Sequence, residues 1–268
     1  MARGYLGYAG RMLGDDRIFL DAQAFPVLGG VWDEARARAL FARVSEDCVA
    51  PQPVGALSLW PPMDGLILDP GSDTDGGTWA AIDAWTAWAW SRVDPQAAWD
   101  FFRGTTLAAR AEAYPDIWYG IWSGPDSYNA TYHAHPGETF NALVTPMTDF
   151  PVMNSNRHMG PLLALLKMAG IGPRGDALVI DPRLPFDSFA VRTPLVGVAY
   201  KRGEQRGYYA PIVEGAFTFG VRPPAGLDPT RARLRINGRP TPFEVRDGLI
   251  RFAAEGGPGG RITWEIGR

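Results

Sequence analysis

Apolar residues recur at helical spacing through the first two thirds of the chain and alternate with polar ones in the last third. Behind Asp33, a residue type that caps helix starts, Ala35, Ala39, Leu40, Val44 and Cys48 fall at helical intervals over Glu34 to about Val49. Pro51 and Pro53 end that run. Thr78 to about Arg92 is apolar on nearly every side and predicts a buried helix. Asp94-Pro95 sets an N-cap and a proline at the first helical position, opening a helix to about Ala113. Helix is expected again near Glu138–Val144 and across Arg157–Ala169, where Gly170-Ile-Gly-Pro173 closes it. Two long loops, 50–76 and 114–136, separate these segments.

From about residue 174 the period changes to two. Ala177–Ile180, Phe189–Tyr200, Gly248–Phe252 and Arg261–Ile266 have the composition of strands, and Arg231–Ile236 alternates into Asn237-Gly238, a hairpin signal. The expected fold is mainly α with a β tail. Residues 1–173 form the helical part and 174–268 a small antiparallel β-sandwich-like module.

The 268 residues carry a net charge of −3 with no basic run, so nucleic acid is not an expected partner. A single cysteine, Cys48, excludes an internal disulfide framework and reads as a small buried hydrophobe. No apolar stretch reaches membrane-spanning length and the start lacks an apolar leader core, so membrane association is not expected and the cytoplasm is the expected compartment.

The chemistry lies in the aromatics. Eight of ten tryptophans fall between Trp60 and Trp122, and all three histidines follow within the next stretch. Indole faces stack on the apolar C–H faces of sugar rings, while carboxylates, amides and imidazoles meet their hydroxyl rims. A Trp-rich core is the plainer reading of any one of these residues. As a group they alternate with polar side chains that a core disfavours. The expected ligand is an oligosaccharide.

The order Ile18-Phe-Leu-Asp-Ala-Gln23, Leu59-Trp-Pro-Pro62, Asp75-Gly-Gly77, Ser123-Gly-Pro-Asp126 and Val179-Ile-Asp-Pro-Arg-Leu-Pro185 resembles the C-terminal part of glycoside hydrolase family 94, the cellobiose-phosphorylase group, also labelled GH36-type. The resemblance implies a partial (α/α)6 toroid of about six helices, a carbohydrate-active enzyme of glycosidase type, and β-linked gluco-oligosaccharides as substrates. It also implies departures. The family's general-acid Asp-Trp-Asn-Asp motif is absent, so the acid is expected from outside the chain, from a partner chain or oligomer completing the barrel. Ala81 and Asn154-Ser-Asn156 stand where the family holds phosphate, which favours hydrolysis or transglycosylation over phosphorolysis. The alternatives are a sugar-binding or structural module without its own catalytic acid, and a fragment of a disaccharide phosphorylase.

Glycoside hydrolysis usually needs one protonated and one ionised carboxyl group. The loops offer Asp64, Asp69, Asp73, Asp75, Asp116, Asp126 and Glu138. Glu138 and Asp126 are the expected catalytic carboxylates, although an Asx turn would explain Asp126 and a helix start Glu138. Substrate contacts are expected from Trp60, Asp75, Trp79, Tyr119, Trp122, His133, His135, Asn156, Arg157 and His158. His133-Ala-His135 lacks a third ligand nearby, so no metal is expected, and no cofactor is called for.

Overall fold

A computed structural model describes residues 6–8, 11–13, 16–63, 68–117, 125–139 and 155–268; at 6–8, 11–13, 155 and 156 it describes backbone only. The chain divides into two compact units, Met1–Leu165 and Leu166–Arg268.

The first unit opens with β1 (Leu6–Tyr8) and β2 (Arg11–Leu13), an antiparallel ribbon. β3 (Ile18–Phe19) runs into α1 (Leu20–Leu28), and α2 (Glu34–Val44) continues as a π-helical turn over Ser45–Val49. There follow β4 (Leu59–Trp60), β5 (Thr78–Trp79), α3 (Ala80–Trp90), α4 (Pro95–Gly104), α5 (Leu107–Ala113), β6 (Ser127–Tyr128) and α6 (Ser155–Met168), whose last turn enters the second unit.

The helix starts follow from their caps. Asp33 accepts the Arg36 N–H and Asp94 the Ala97 N–H, each satisfying a donor that a helix start leaves open. The buried face of α2 is Ala37, Leu40, Phe41 and Val44, continued by Cys48, whereas Ala35 and Ala39 are exposed. α1 was not expected. Its buried residues Leu20, Gln23, Ala24 and Val27 have helical spacing, but Pro26 lies inside and no side chain caps its start. The helix expected over 95–113 is two. Thr105 and Thr106 turn their hydroxyls back to Phe102 and Arg103, and Thr106 then caps α5 by accepting the Ala109 N–H. α3 is buried almost all round, and its alanines let α1 and α4 pack closely. Trp90 stacks on Phe41 at 5.2 Å and leans on Phe101 at 5.7 Å.

The mainly-α expectation is overturned, and with it the partial toroid. Among the described residues the strands hold slightly more of the chain than the six α-helices do, and multi-stranded sheets are a major part of the architecture. The helices are only 7–14 residues long. Within the helical unit, two-residue strands hold loops together, pairing β3 with β4 and β5 with β6. The helix expected from Glu138 lies outside the described residues from 140 onward, and Glu138 itself is in a bend. No helix among the described residues is long and apolar enough to cross a membrane.

The second unit contains β7 (Ile171–Arg174), β8 (Ala177–Ile180), β9 (Phe189–Arg192), β10 (Val196–Lys201), β11 (Glu204–Tyr209), β12 (Gly215–Val221), β13 (Arg233–Ile236), β14 (Arg239–Thr241), β15 (Glu244–Arg246), β16 (Leu249–Gly256) and β17 (Ile262–Gly267). They form two sheets, ordered β14-β13-β17-β11-β10-β9 and β15-β16-β12-β8-β7. β8 and β12 pair in parallel, which corrects the expectation of an all-antiparallel module. Both sheets feed one core, in which Phe219 lies 5.1 Å from Phe252 and 5.3 Å from Trp264. The Trp264 indole N–H is satisfied by Gln205, so this large ring is buried at no cost in lost hydrogen bonding. Asn237 and Gly238 both take positive φ and close the β13–β14 hairpin, the conformation that a two-residue turn of this kind demands.

Candidate functional site

Three segments of the first unit, 55–63, 69–79 and 125–139, are tied into one hydrogen-bonded frame. The Ser58 N–H donates to the Gly77 carbonyl at 2.9 Å, and Leu57 bridges Thr78. Thr78 lies opposite Tyr128 and Trp79 opposite Ser127. Ala130 donates to the Gly71 carbonyl and Asn129 to the Glu138 carbonyl, both at 2.7 Å.

Beneath this frame lies a polar interior. Arg110 is 1% exposed and donates to the carbonyls of Ile117 and Gly137, both at 2.9 Å. Its guanidinium is 4.5 Å from the centre of the Tyr128 ring, and that of Arg157 is 4.4 Å from the same centre. Arg157 also reaches the carbonyls of Pro125 and Thr105. Asp83, buried within α3, accepts the Ala56 N–H at 3.1 Å. Burial pushes its carboxyl up to about 7, against the pull of the Arg157 charge and the Ala56 bond. Burial likewise lowers the Arg157 guanidinium from its usual value. Buried charges are costly, and here each is spent on loop backbone.

On the frame, Asp73 and Asp126 are each linked to Trp79 through the backbone. The Trp79 indole N–H donates to the Asp73 carbonyl at 2.8 Å, and the same carbonyl accepts from Gly77 N–H and the Ser58 hydroxyl. Asp73 is held at φ 46°, a conformation that non-glycine residues adopt rarely. Asp126 immediately precedes Ser127, the strand partner of Trp79. Burial raises the Asp73 carboxyl above the usual carboxylate range; a Thr74 backbone bond opposes this, and the Asp126 charge adds to it. Trp79 and both carboxylates are partly exposed.

A second group adjoins through the same loops. The partly exposed Trp60 ring lies 6.0 Å from Tyr132. Asp75 is fully buried and accepts the Met63 N–H at 2.6 Å. Burial raises the Tyr132 hydroxyl, and the Asp75 charge adds to that. His133 is buried, with Nε2 4.0 Å from Asp69 and Nδ1 accepting the His135 N–H at 2.9 Å, and burial lowers its pKa. The accepting Nδ1 leaves the proton on Nε2 in the neutral ring. His135 Nδ1 is 3.7 Å from Glu138 Oε2.

Of the residues expected from sequence, Trp79 lies in β5 and Asp126 directly before its partner strand β6, and Trp60 and Asp75 lie on the connected loops. His133, His135 and Glu138 cluster at the end of the 125–139 segment. Arg157 is a buried support under that segment, whereas His158 is exposed on α6. Tyr119, Trp122 and the Asn156 side chain lie outside the described residues. Sequence reasoning missed Asp83, Arg110 and Tyr132. A lone carboxylate inside an otherwise apolar helix was the available signal for Asp83. Among the described residues no three His, Cys, Asp or Glu side chains gather as a metal would require.

No protein-family model and no curated protein matches the chain. Among solved structures it is similar to a GH127 β-L-arabinofuranosidase from Geobacillus stearothermophilus T6, with 14% identity and a TM-score of 0.32 over 92% of this chain and 40% of that one. It is similar also to the GH127 β-arabinofuranosidase BT3674, with 11% identity and a TM-score of 0.28 over 73% of this chain and 33% of that one. A further glycoside hydrolase gives 10% identity and a TM-score of 0.28 over the same shares. The chain thus spans two fifths or less of these proteins' lengths. The two that carry a family name belong to family 127, so the family 94 assignment drawn from the sequence motifs gains no support. At TM-scores near 0.3 the likeness is too coarse to define a shared fold.

Proposed function

We propose that this chain is a carbohydrate-active segment of glycosidase type, and that it binds an oligosaccharide across the frame built by residues 55–63, 69–79 and 125–139. The observation that carries the reading is the placement of Trp79: its indole N–H is tied by a 2.8 Å hydrogen bond to the Asp73 carbonyl, and its strand partner Ser127 directly follows Asp126. An indole supplies the apolar platform that a sugar ring needs. Two carboxyl groups near it can divide the acid and base roles of glycosyl transfer. Burial and the Asp126 charge both favour the protonated form of Asp73, which suits it to donate a proton to a leaving oxygen. Asp126 then supplies the second carboxyl group. On this reading a proton donor is available within the chain, where the sequence motifs had placed it outside. Glu138, close to His135 and further along the same segment, becomes a ligand-orienting group.

The test is a panel of β-linked gluco-oligosaccharides and arabino-oligosaccharides, with binding read by calorimetry and turnover by release of reducing ends. At least one member should bind, with Trp79→Ala weakening it tenfold or more. Asp126→Asn should cut turnover about 100-fold or more while leaving binding within a few fold, the signature of an interaction made in the transition state. Absence of binding across the panel would refute the reading; binding without turnover would leave a sugar-binding module.

A further inference from the structure

The two units carry opposite charge. Met1–Leu165 has ten basic and nineteen acidic residues, a net −9, whereas Leu166–Arg268 has sixteen basic and ten acidic, a net +6. Much of the positive charge lies on one surface, the outer face of the β14-β13-β17-β11-β10-β9 sheet. Its strands alternate strictly there: Leu234, Ile236, Ile262, Trp264 and Ile266 point into the core, while Arg233, Arg235, Thr263 and Glu265 are exposed. Registry sets Arg235 and Arg206 on either side of Glu265. Glu204, Arg206, Arg233, Arg235, Glu265 and Arg268 line a depression of about 250 Å³. Beside it, the Tyr208 ring lies flat over Gly197, where any Cβ would collide with it. The Tyr208 hydroxyl donates to the Thr193 carbonyl at 2.6 Å, and the Arg261 guanidinium rests 4.6 Å from the ring centre.

We infer that this sheet face binds an acidic polysaccharide, a chain of sugars bearing carboxylates. Four arginines to two glutamates in one shallow depression complement a polyanion, and Arg261 beside it already rests against the Tyr208 ring, which limits the freedom it loses on binding. The glutamates decide the kind of polyanion. Glu265, 3.6 Å from Arg206, and Glu204 are acceptors, so a ligand that covers them has to bring hydrogen-bond donors. Sugar hydroxyls supply donors beside the carboxylates that the arginines take. A DNA phosphodiester backbone presents acceptors only, and the two glutamates would repel it. The inference uses none of the residues of the oligosaccharide site proposed above and stands or falls separately from it.

The test uses the full chain with polygalacturonate as probe, in affinity electrophoresis and by calorimetry at low and moderate salt. Polygalacturonate should retard the protein, and the affinity should fall as salt rises, because exposed charges are screened over about 8–10 Å at physiological ionic strength. The double variant Arg233→Glu/Arg235→Glu should lose tenfold or more of that affinity with an unchanged circular dichroism spectrum, both residues being exposed. A neutral glucan and a DNA duplex should bind this face at least tenfold more weakly. The inference is overturned by failure to bind polygalacturonate, by equal affinity in the double variant, or by a DNA duplex binding as tightly.

Discussion

The two units differ most in what they bury. Of the fifteen buried polar or charged residues among the described ones, thirteen lie in Met1–Leu165 and only Asp181 and Gln205 in the β module. The module follows period-two patterning with an aromatic core, and its two exceptions are answered locally. Gln205 satisfies Trp264, and Asp181 is ringed by Arg174, Arg183 and Arg222, which hold its carboxyl below the usual range despite burial. The first unit instead spends Arg110, Arg157, Asp83, Asp75 and Asn129 on holding loops. A protein accepts buried polar groups where geometry matters more than stability, and this contrast is why the function is sought in the loops of the first unit.

The contrast can be broken at several points. Trp264→Ala should cost the module about 3–5 kcal/mol, the range for deleting a large buried ring, and denaturant unfolding would measure it. A cost under about 1 kcal/mol would mean that the two sheets do not share the core described. Next in size, Arg110→Met keeps bulk but strands the carbonyls of Ile117 and Gly137; about 1–3 kcal/mol should be lost. Oligosaccharide binding should fall with it, because those carbonyls anchor the two ends of the aromatic loop.

Asp83 gives a pH signature. Its folded carboxyl keeps a proton up to about 7, while an unfolded aspartate releases it near ~3.9. The folded state therefore takes up more protons at this group between those values, and the contribution of Asp83 to stability should fall as pH rises from about 4 to 7. Asp83→Asn keeps an acceptor for the Ala56 N–H and should flatten that decline in a pH series of thermal melts. An unchanged slope in the variant relative to wild type would contradict the burial described. Smallest is Glu138→Gln: the side chain is partly exposed, so stability should stay within about 0.5 kcal/mol in the same melts, and any effect should appear in ligand affinity.

Local signals read well where one residue decides the outcome. Asp33 and Asp94-Pro95 announce their helix starts, and Asn237-Gly238 its hairpin. The equivalent turn at Asp247-Gly248, again with both φ positive, passed unread because the strand on its near side, β15, is only three residues long. α1 was obscured by Pro26, and the α4–α5 break depends on two threonine hydroxyls whose partners lie three residues back. β11 and β12 were missed because glycines and mixed burial blur their alternation. For the candidate site, composition nominated Trp60, Trp79, Asp126 and the loop carboxylates. It could not single out Asp73, whose link to Trp79 follows from the bond between the indole and the Asp73 carbonyl. Neither could it reveal Arg110, which acts on loops distant in sequence; Asp83 was signalled only as a lone carboxylate in an apolar helix, without its partner Ala56.

The most direct measurement is the indole N–H spectrum of tryptophan-labelled protein during titration with an oligosaccharide that it binds. Trp79 and Trp60, partly exposed on the proposed frame, should shift progressively, while Trp90, buried against Phe41, and Trp264, buried against Phe219, should not move. If the Trp79 resonance stays fixed while ligand binds, or only Trp264 responds, the oligosaccharide does not bind on the frame of residues 55–63, 69–79 and 125–139.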